Sequence, residues 1–316
     1  MKSFLTAAIS VVLVAGSLGS ASADEPPAPK VDAPPAPKAD VPDAPPPPPP
    51  APYSLPWQLR SAAPGNVVRL DTAIALYDKP DGKSGMTVAS LLFASYKVTP
   101  EFAPFLRMGA LGTSDAAGVT NLALGGTLGV PLPPQWKAAF FCGLALPIAS
   151  GGGVGADPKV TDAMKTGPLA RSAMDNAMFA VNDLTLFPGF DVAYVAGGLT
   201  VQAEVTLLAL MRARTEKADS SKTNLTSGVH VGYFFTPWLS AGVDLRYQRW
   251  LSTPVAVATD PTGDSRDNAT FAIGPRFHLH LSKSVWLRPG VAYARGIDLP
   301  MSKSYNIVQI DIPVAF

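Results

Sequence analysis

Three histidines are the residues of this chain best suited to acid–base or metal chemistry: His230, His278 and His280. A cluster of imidazoles could bind a metal ion or respond to pH near neutrality. The segments that carry His230 and His278 are separated by a third segment, which places them ~10 Å apart at the spacing of β-strands. We therefore expect the three side chains to form part of a polar lining, and we predict no metal site and no cofactor.

These histidines lie in a pattern of alternating apolar and polar residues that covers most of the chain after residue 66. In segment 238–250, Val243 and Leu245 alternate with Asp244 and Arg246. Such alternation is typical of a strand with one apolar face. Five prolines inside the alternating segments should weaken hydrogen bonding locally. The twelve predicted strands are 67–77, 86–98, 103–111, 119–130, 136–147, 184–195, 199–212, 225–234, 238–250, 269–281, 285–295 and 305–316.

Charged side chains within these strands fall on the face opposite the apolar residues. A soluble β-sandwich also alternates, so alternation by itself leaves a sandwich and a membrane barrel open. In a transmembrane barrel the apolar face contacts lipid and the polar face lines the lumen. The residues predicted to line the pore are Arg69, Asp71, Arg107, Asp191, Glu204, His230, Asp244, Arg246, Arg276, His278, His280, Arg288 and Asp311.

The connections between predicted strands alternate between short and long, which favours the membrane barrel. Barrels of this kind have short turns at one rim and long loops at the other, and an even number of strands places both termini at the same rim. Trp136, Trp238 and Trp286 lie near short turns and Trp250 near a long loop. This distribution is typical of the aromatic belts at the two membrane interfaces.

The last predicted strand has the most specific pattern. Val308, Ile310 and Ile312 occupy every second position, and Phe316 is the last residue. This segment resembles the closing strand of Gram-negative outer-membrane β-barrels, whose final residue is typically Phe. The chain is thus similar to barrels of the porin and transporter class, although no motif matches one family. The resemblance implies that Phe316 is an assembly signal, and that outer-membrane lipid and the barrel-assembly machinery are partners.

Some barrels of this class are enzymes, and their motifs are missing from the sequence. Outer-membrane phospholipases carry His-x-Ser-Asn-Gly near the external rim, whereas His280-Leu-Ser282 lacks Asn-Gly and lies near a short turn. Omptin-like proteases need a histidine at the external rim, where none is predicted. Cys142 is the single cysteine, which excludes an internal disulfide and cysteine-rich metal sites. We predict that the protein is not an enzyme and has no catalytic residues.

The N-terminal region differs in composition from the barrel. Residues 1–23 have the charged start, apolar stretch and Ala21-Ser22-Ala23 cleavage site of a secretory signal peptide. Residues 24–56 contain 15 prolines in 33 positions and should be an extended, disordered periplasmic linker. The linker could act as a spacer or as a tether to the cell wall. The barrel is predicted to span 57–316.

The lumen is the surface on which a function should lie. Many of its predicted residues are glycines, such as Gly228 and Gly290, which leave room inside a barrel that side chains would otherwise fill. Asp244, Arg246 and Arg276 are predicted to lie at similar heights as a charged constriction. Loop 148–183 is long enough to fold inward and has apolar residues at roughly helical spacing, although it could equally form an external lid.

The sequence therefore predicts an all-β protein, a closed antiparallel transmembrane barrel of about 12 strands. We expect it in the cell outer membrane with both termini in the periplasm, as a channel for passive diffusion of small hydrophilic or amphipathic solutes. The alternative is a structural or adhesive barrel with a closed bore, tethered through its proline-rich leader. A net charge of +1 argues against nucleic acid as a partner.

Overall fold

The fold is described from a computed structural model. The residues that it describes are 52–79, 82–215, 219–261, 264–297 and 305–316. The predicted signal peptide and residues 24–51 of the predicted linker lie outside them. The expectation that the proline-rich segment is disordered therefore stays a prediction.

Twelve strands of the described residues form one closed antiparallel barrel. Each strand pairs with the next along the chain, and the first pairs with the last from Val67 opposite Ala315 to Tyr77 opposite Tyr305. Closure leaves no unpaired edge in the sheet. The strands are β1 Val67–Asp78, β2 Ser84–Ser95, β3 Phe102–Thr113, β4 Leu122–Val130, β5 Trp136–Leu146, β6 Asp183–Leu186 and Gly189–Ala196, β7 Leu199–Arg212, β8 Ser221–Thr236, β9 Leu239–Trp250, β10 Asp267–Phe277 and Leu279–His280, β11 Trp286–Leu287 and Gly290–Gly296, and β12 Tyr305–Ala315.

The predicted strands are confirmed, with differences at their ends. Pro188 and Pro289 lie in the interruptions of β6 and β11, because a proline has no N–H to donate to the neighbouring strand. Pro104, Pro275 and Pro313 remain inside β3, β10 and β12. β8 is longer than predicted because Ser221 to Asn224 also pair with the end of β7 at the long-loop rim.

The two faces of the strands separate lipid-facing from lumen-facing side chains. In β8, Val229 and Val231 are 40% and 46% exposed, whereas His230 between them is fully buried. In β12, Ile310 is 41% exposed and Asp311 is fully buried. The outside of the barrel is therefore an apolar surface, as the lipid core of a membrane requires. The predicted transmembrane barrel is confirmed.

Helices in the described part of the chain are short and lie in the connections of the long-loop rim. The connection between β5 and β6 contains α1 (Pro158–Lys165), α2 (Gly167–Ala170) and α3 (Asn176–Phe179), and the β9–β10 connection contains α4 (Val255–Ala258). No helix among the described residues has the length and hydropathy needed to cross a membrane. A three-residue strand, Ala117–Val119, pairs with β3 beside α1.

The apolar core of the molecule lies inside the barrel. Leu91, Leu111 and Leu208 of the wall pack in one cluster with Met164 and Met178 of the β5–β6 connection. A second chain segment enters the bore ahead of β1, since Trp57 belongs to the same cluster. The wall thus encloses two segments that are not part of it, and together they shape the candidate site.

Candidate functional site in the barrel lumen

The structure places most of the predicted pore-lining residues inside the bore. Arg69 and Arg107 point inward with side chains that are 16% and 14% exposed, and Arg288 is also partly buried. His280 differs from the expectation. It is exposed on the short hairpin that continues β10 and β11 beyond the rim, where it stacks on Trp286 at 4.2 Å. The buried residues are Asp71, Asp191, Glu204, His230, Asp244, Arg246, Arg276, His278 and Asp311.

The histidines do not form a cluster. The Nδ1 of His230 is 2.7 Å from Asp244, and the Nε2 of His278 is 2.8 Å from the hydroxyl of Ser240. His230 and His278 therefore each have a separate polar partner on the wall. Within the described residues, no group of three or more His, Cys, Asp or Glu side chains is placed to hold a metal ion.

Residues 52–66, which we call the N-terminal insert, run through the lumen before β1 begins. The main-chain N–H of Ser54 donates to Thr200 at 2.9 Å, and that of Arg60 donates to Glu204 at 2.6 Å. The Arg60 guanidinium also pairs with Glu204, at 2.8 Å. Residues 52–56, which the sequence assigned to the linker, thus contact the wall. The division at 56/57 remains a prediction about domains.

Trp57 is the centre of the N-terminal insert. Its main-chain N–H donates to Asp244 at 3.1 Å, and its main-chain carbonyl accepts from Arg69. The guanidinium of Arg276 lies over its ring at 4.4 Å, and the side chain is only 1% exposed. A buried indole stacked under a guanidinium and tied through its main chain is a specific contact. The Trp57 side chain therefore fills part of the bore at this height.

Wall glycines provide the space that the N-terminal insert occupies. A Cβ added to Gly290 would lie 2.6 Å from the Trp57 ring, and one added to Gly129 would lie 2.8 Å from Pro64. A Cβ at Gly228 would collide with Leu59. The sequence correctly indicated room at these positions. That room is filled by the chain's own insert.

Residues 147–182, which we call the internal loop, enter the bore from the opposite rim. Arg171 at its tip is completely buried. Its guanidinium bonds to Asp71 of β1 at 2.7 Å and to Asp175 of the loop at 2.9 Å. Arg107 of β3 pairs with the same Asp175 through both of its terminal nitrogens. The loop folds inward and contains short helices, which is one of the alternatives that the sequence left open.

The charges of these four residues stabilise each other. Burial alone would raise the pKa of Asp175, but Arg107 and Arg171 outweigh burial and hold the pKa well below the ordinary value of a carboxyl group. Burial would lower the pKa of Arg171, and Asp71 and Asp175 raise it instead. All of these groups therefore stay ionised. Removing one would leave a buried charge without compensation.

The internal loop is also fixed at its base. The Asn121 side chain donates to the carbonyls of Ala177 and Ala180 at 2.9 and 3.0 Å. Arg214 of the β7–β8 connection donates to the carbonyls of Pro147 and Ala149 at 2.9 and 3.0 Å. These contacts hold the loop at both its entry and its return.

The predicted constriction has a different composition from the one expected. Asp244 and Arg246 bond to each other at 3.1 Å. The register of β9 and β10 places Arg276 opposite Ser240, four residues along the strand from Asp244, so the expected common height is wrong. Arg276 pairs with Asp311 at 2.6 Å. The reason is that β10 turns into its hairpin at His278, earlier than the predicted strand end.

A cavity of about 420 Å³ remains between the two inserted segments and the wall of β1 to β4, β6, β7, β11 and β12. Its lining extends from Asp175 of the internal loop to Lys97, Ser284 and Phe316 at the short-turn rim. Because those three are exposed, the cavity is accessible from that rim. Phe316 is held there by its main-chain N–H, which donates to the carbonyl of Asn66 at 3.1 Å.

Sequence reasoning missed Trp57, Arg60, Arg171 and Asp175. None of them lies in a strand, so alternation assigns them no face. Arg171 and Asp175 are four residues apart, which is the spacing of an ion pair in a helix. This spacing is the feature of the sequence that could have identified the pair. Trp57 and Arg60 carried no periodic signal at all.

No protein-family model matches the sequence, and no curated protein matches it. An outer membrane channel from Pseudomonas putida F1 superposes with a TM-score of 0.52 at 11% identity, over 82% of this chain and 98% of that one. The NanC porin gives 0.48 at 10% identity, over 79% and 98%, and the KdgM porin gives 0.45 at 11%, over 79% and 99%. At these identities the likeness concerns the fold alone. The fold is a closed β-barrel of the kind found in outer-membrane proteins, as the closing strand predicted.

Proposed function

We propose that the protein is an outer-membrane channel for passive diffusion of small hydrophilic or amphipathic solutes. The main observation in favour of this proposal is that the barrel wall and the segments that fill the bore are separate parts of the chain. The wall is lined by charged and polar side chains, and the bulk that closes the bore comes from two segments that are separate from the wall. Movement of such a segment opens a path for solutes without any change in the barrel wall.

The alternative, a structural or adhesive barrel with a closed bore, has the filled lumen in its favour. It does not account for the cavity at the short-turn rim, which a purely structural barrel would fill with side chains. We therefore prefer the channel. We assign the chain no catalytic role.

The proposal includes an orientation and partners. Both ends of the barrel lie at the short-turn rim, which we infer to be periplasmic, with the long loops outside. Outer-membrane lipid would contact the apolar outer face, and the barrel-assembly machinery would recognise the strand that ends at Phe316. A chain without Phe316 should then fail to assemble. Normal insertion of that chain would contradict the recognition role.

Conductance in planar bilayers tests the channel directly. We expect the purified full-length chain to insert as a heat-modifiable barrel and to produce discrete current steps. Inserted barrels that never pass current, in either polarity and up to the voltage at which the bilayer breaks, would favour the structural alternative.

The residues proposed to line the conducting path can be tested in the same experiment. Replacing both Arg246 and Arg276 by Ala should shift ion preference toward cations, because Asp244 and Asp311 remain as local charge. The control is Arg295→Ala, since Arg295 is an exposed residue of β11 outside the lumen. Reversal potentials in a salt gradient give the answer. An unchanged preference would remove these arginines from the path.

A further inference from the structure

We propose that the cavity at the short-turn rim binds an amphipathic organic anion, a molecule with one carboxylate or sulfonate on an aromatic or short alkyl body. Passage of this solute through the barrel rests on the proposed channel function. Binding of the solute depends only on the cavity. The polar end of the ligand lies at Arg288, and its apolar body lies along a row of phenyl rings on the opposite part of the lining.

The phenyl row comes from three wall strands. The ring of Phe93 is 5.7 Å from that of Phe105, which is 6.3 Å from that of Phe187. All three line the cavity, together with the buried Met178 and Leu208. Three aromatic rings in contact inside a lumen form a surface on which a ring or an alkyl chain gains burial and stacking. A sugar or a small hydrated ion would gain little there.

Positive charge exceeds negative charge along the remaining lining. Asp311 accepts hydrogen bonds from both Arg69 and Arg276, at 2.7 and 2.6 Å. Asp175 is shared in the same way by Arg107 and Arg171, and Arg171 also pairs with Asp71. The charged side chains that line the cavity itself are five cations and two carboxylates: Arg60, Arg69, Lys97, Arg107 and Arg288 against Asp71 and Asp175. The lining therefore attracts an anion and repels a cation.

Arg288 differs from the other arginines of the cavity lining, each of which pairs with a carboxylate. It lines the cavity, and the described residues contain no acidic partner for its guanidinium. Its Nε atom has no hydrogen-bond partner, and neither does the buried amide of Gln58 on the N-terminal insert, which also lines the cavity. Buried donors without partners are unfavourable. A carboxylate or sulfonate would offer oxygen atoms to such groups.

The dimensions fit one molecule of this class. Arg288 on β11 and Phe93 on β2 are separated by three strand spacings, ~14 Å along the wall, and the arginine side chain itself spans part of that distance. A cavity of about 420 Å³ falls in the range of ~300–1000 Å³ that encloses small organic ligands.

Calorimetric titration of the full-length barrel in non-ionic detergent tests the site, with empty micelles as the blank. The probes are 4-phenylbutyrate, the neutral 4-phenylbutan-1-ol, the cationic 4-phenylbutylammonium and butyrate, which lacks the ring. We expect saturable binding of 4-phenylbutyrate, at least tenfold tighter than that of each other probe. Equal affinity for the cation, or no saturable binding of the anion, would overturn the proposal. This comparison needs no variant.

Two pairs of variants locate the ligand. Arg288→Gln should weaken 4-phenylbutyrate about tenfold, whereas Arg295→Gln removes the same charge outside the lumen and should change nothing. Phe105→Leu should weaken it at least threefold, whereas Phe140→Leu on the lipid-facing surface should not. A site that keeps its anion preference in Arg288→Gln would contradict the assigned polarity.

Binding and conduction fail separately. A barrel that passes current but binds no 4-phenylbutyrate would contradict the proposed binding site and would leave the proposed channel function intact. A barrel that binds the four probes in the predicted order of affinity but never conducts would support the binding site and contradict the proposed function.

Discussion

The N-terminal insert and the internal loop both fill the bore, but they are held by different kinds of contact. The N-terminal insert bonds largely through its main-chain N–H groups to wall side chains such as Thr200 and Asp244. The internal loop bonds through a buried guanidinium, Arg171, to two carboxylates. The loop is also continuous with the wall at both ends, whereas the insert joins the wall only at β1.

This difference indicates which segment moves first. Releasing the internal loop would leave buried charges unpaired, which costs several kcal/mol. Releasing the N-terminal insert breaks one ion pair, between the partly exposed Arg60 and Glu204. Its other contacts involve neutral groups or a single charge, and their partners on the wall can bind water instead. We therefore expect the insert to be the mobile barrier and the loop to be a fixed part of the lumen.

The largest effect should come from Arg171→Met. Asp71 and Asp175 would then lie buried with less compensating charge, so we expect the free energy of unfolding to fall by ~3–5 kcal/mol. Denaturant titration followed by gel mobility measures this change. Lys165→Met is the matched control, because Lys165 in the same loop forms an exposed pair with Asp162. A loss equal to that of the control would show that the loop is not fixed by Arg171.

Trp57→Ala should release the N-terminal insert without unfolding the barrel. Replacing a buried tryptophan by alanine in a packed core lowers the free energy of unfolding by ~3–5 kcal/mol. Here the insert can leave the bore, so that no empty cavity remains where the ring was. We expect trypsin to cleave after Arg60 in this variant and to spare it in the wild type. Trp57→Phe should restore part of the protection. Cleavage at equal rates in all three chains would contradict the assigned role of the ring.

Gly290→Ala should have a smaller effect of the same kind. The added Cβ would lie 2.6 Å from the rigid Trp57 ring, so the ring must shift, at a cost of ~1–3 kcal/mol. Gly65→Ala is the control, since its Cβ would meet only Val67, at 3.6 Å. Trypsin cleavage after Arg60 is again the readout. Equal protection in both variants would mean that the wall does not hold the ring closely.

The smallest effect concerns pH. The pKa of Asp175 is lower in the folded chain than in the unfolded chain, so its contribution to stability is complete above ~pH 4 and is lost as the pH falls further. The stability difference between wild type and Asp175→Asn should therefore be constant from pH 7 to ~4 and shrink below that. A difference that changes near neutrality would contradict the buried ion pair.

The barrel could be predicted from the sequence because period-two alternation, charge placement and loop lengths all depend on the strands of the barrel wall. Asp244 and Val243 took opposite faces as predicted, since neighbouring residues of a strand always do. The contents of the bore could not be predicted in the same way. Trp57 and Arg171 lie in irregular segments, and their positions follow from shape and charge complementarity with wall residues such as Asp244 and Asp71, which are 187 and 100 positions away.

Current through two truncated chains tests the mobile insert most directly. One chain lacks residues 24–51 and keeps the N-terminal insert, and the other lacks 24–66 and loses it. Both keep residues 1–23 and all twelve strands. We predict that the first conducts like the full-length chain and that the second shows a larger and more persistent open current. Equal currents from two correctly inserted barrels would show that residues 52–66 do not close the path.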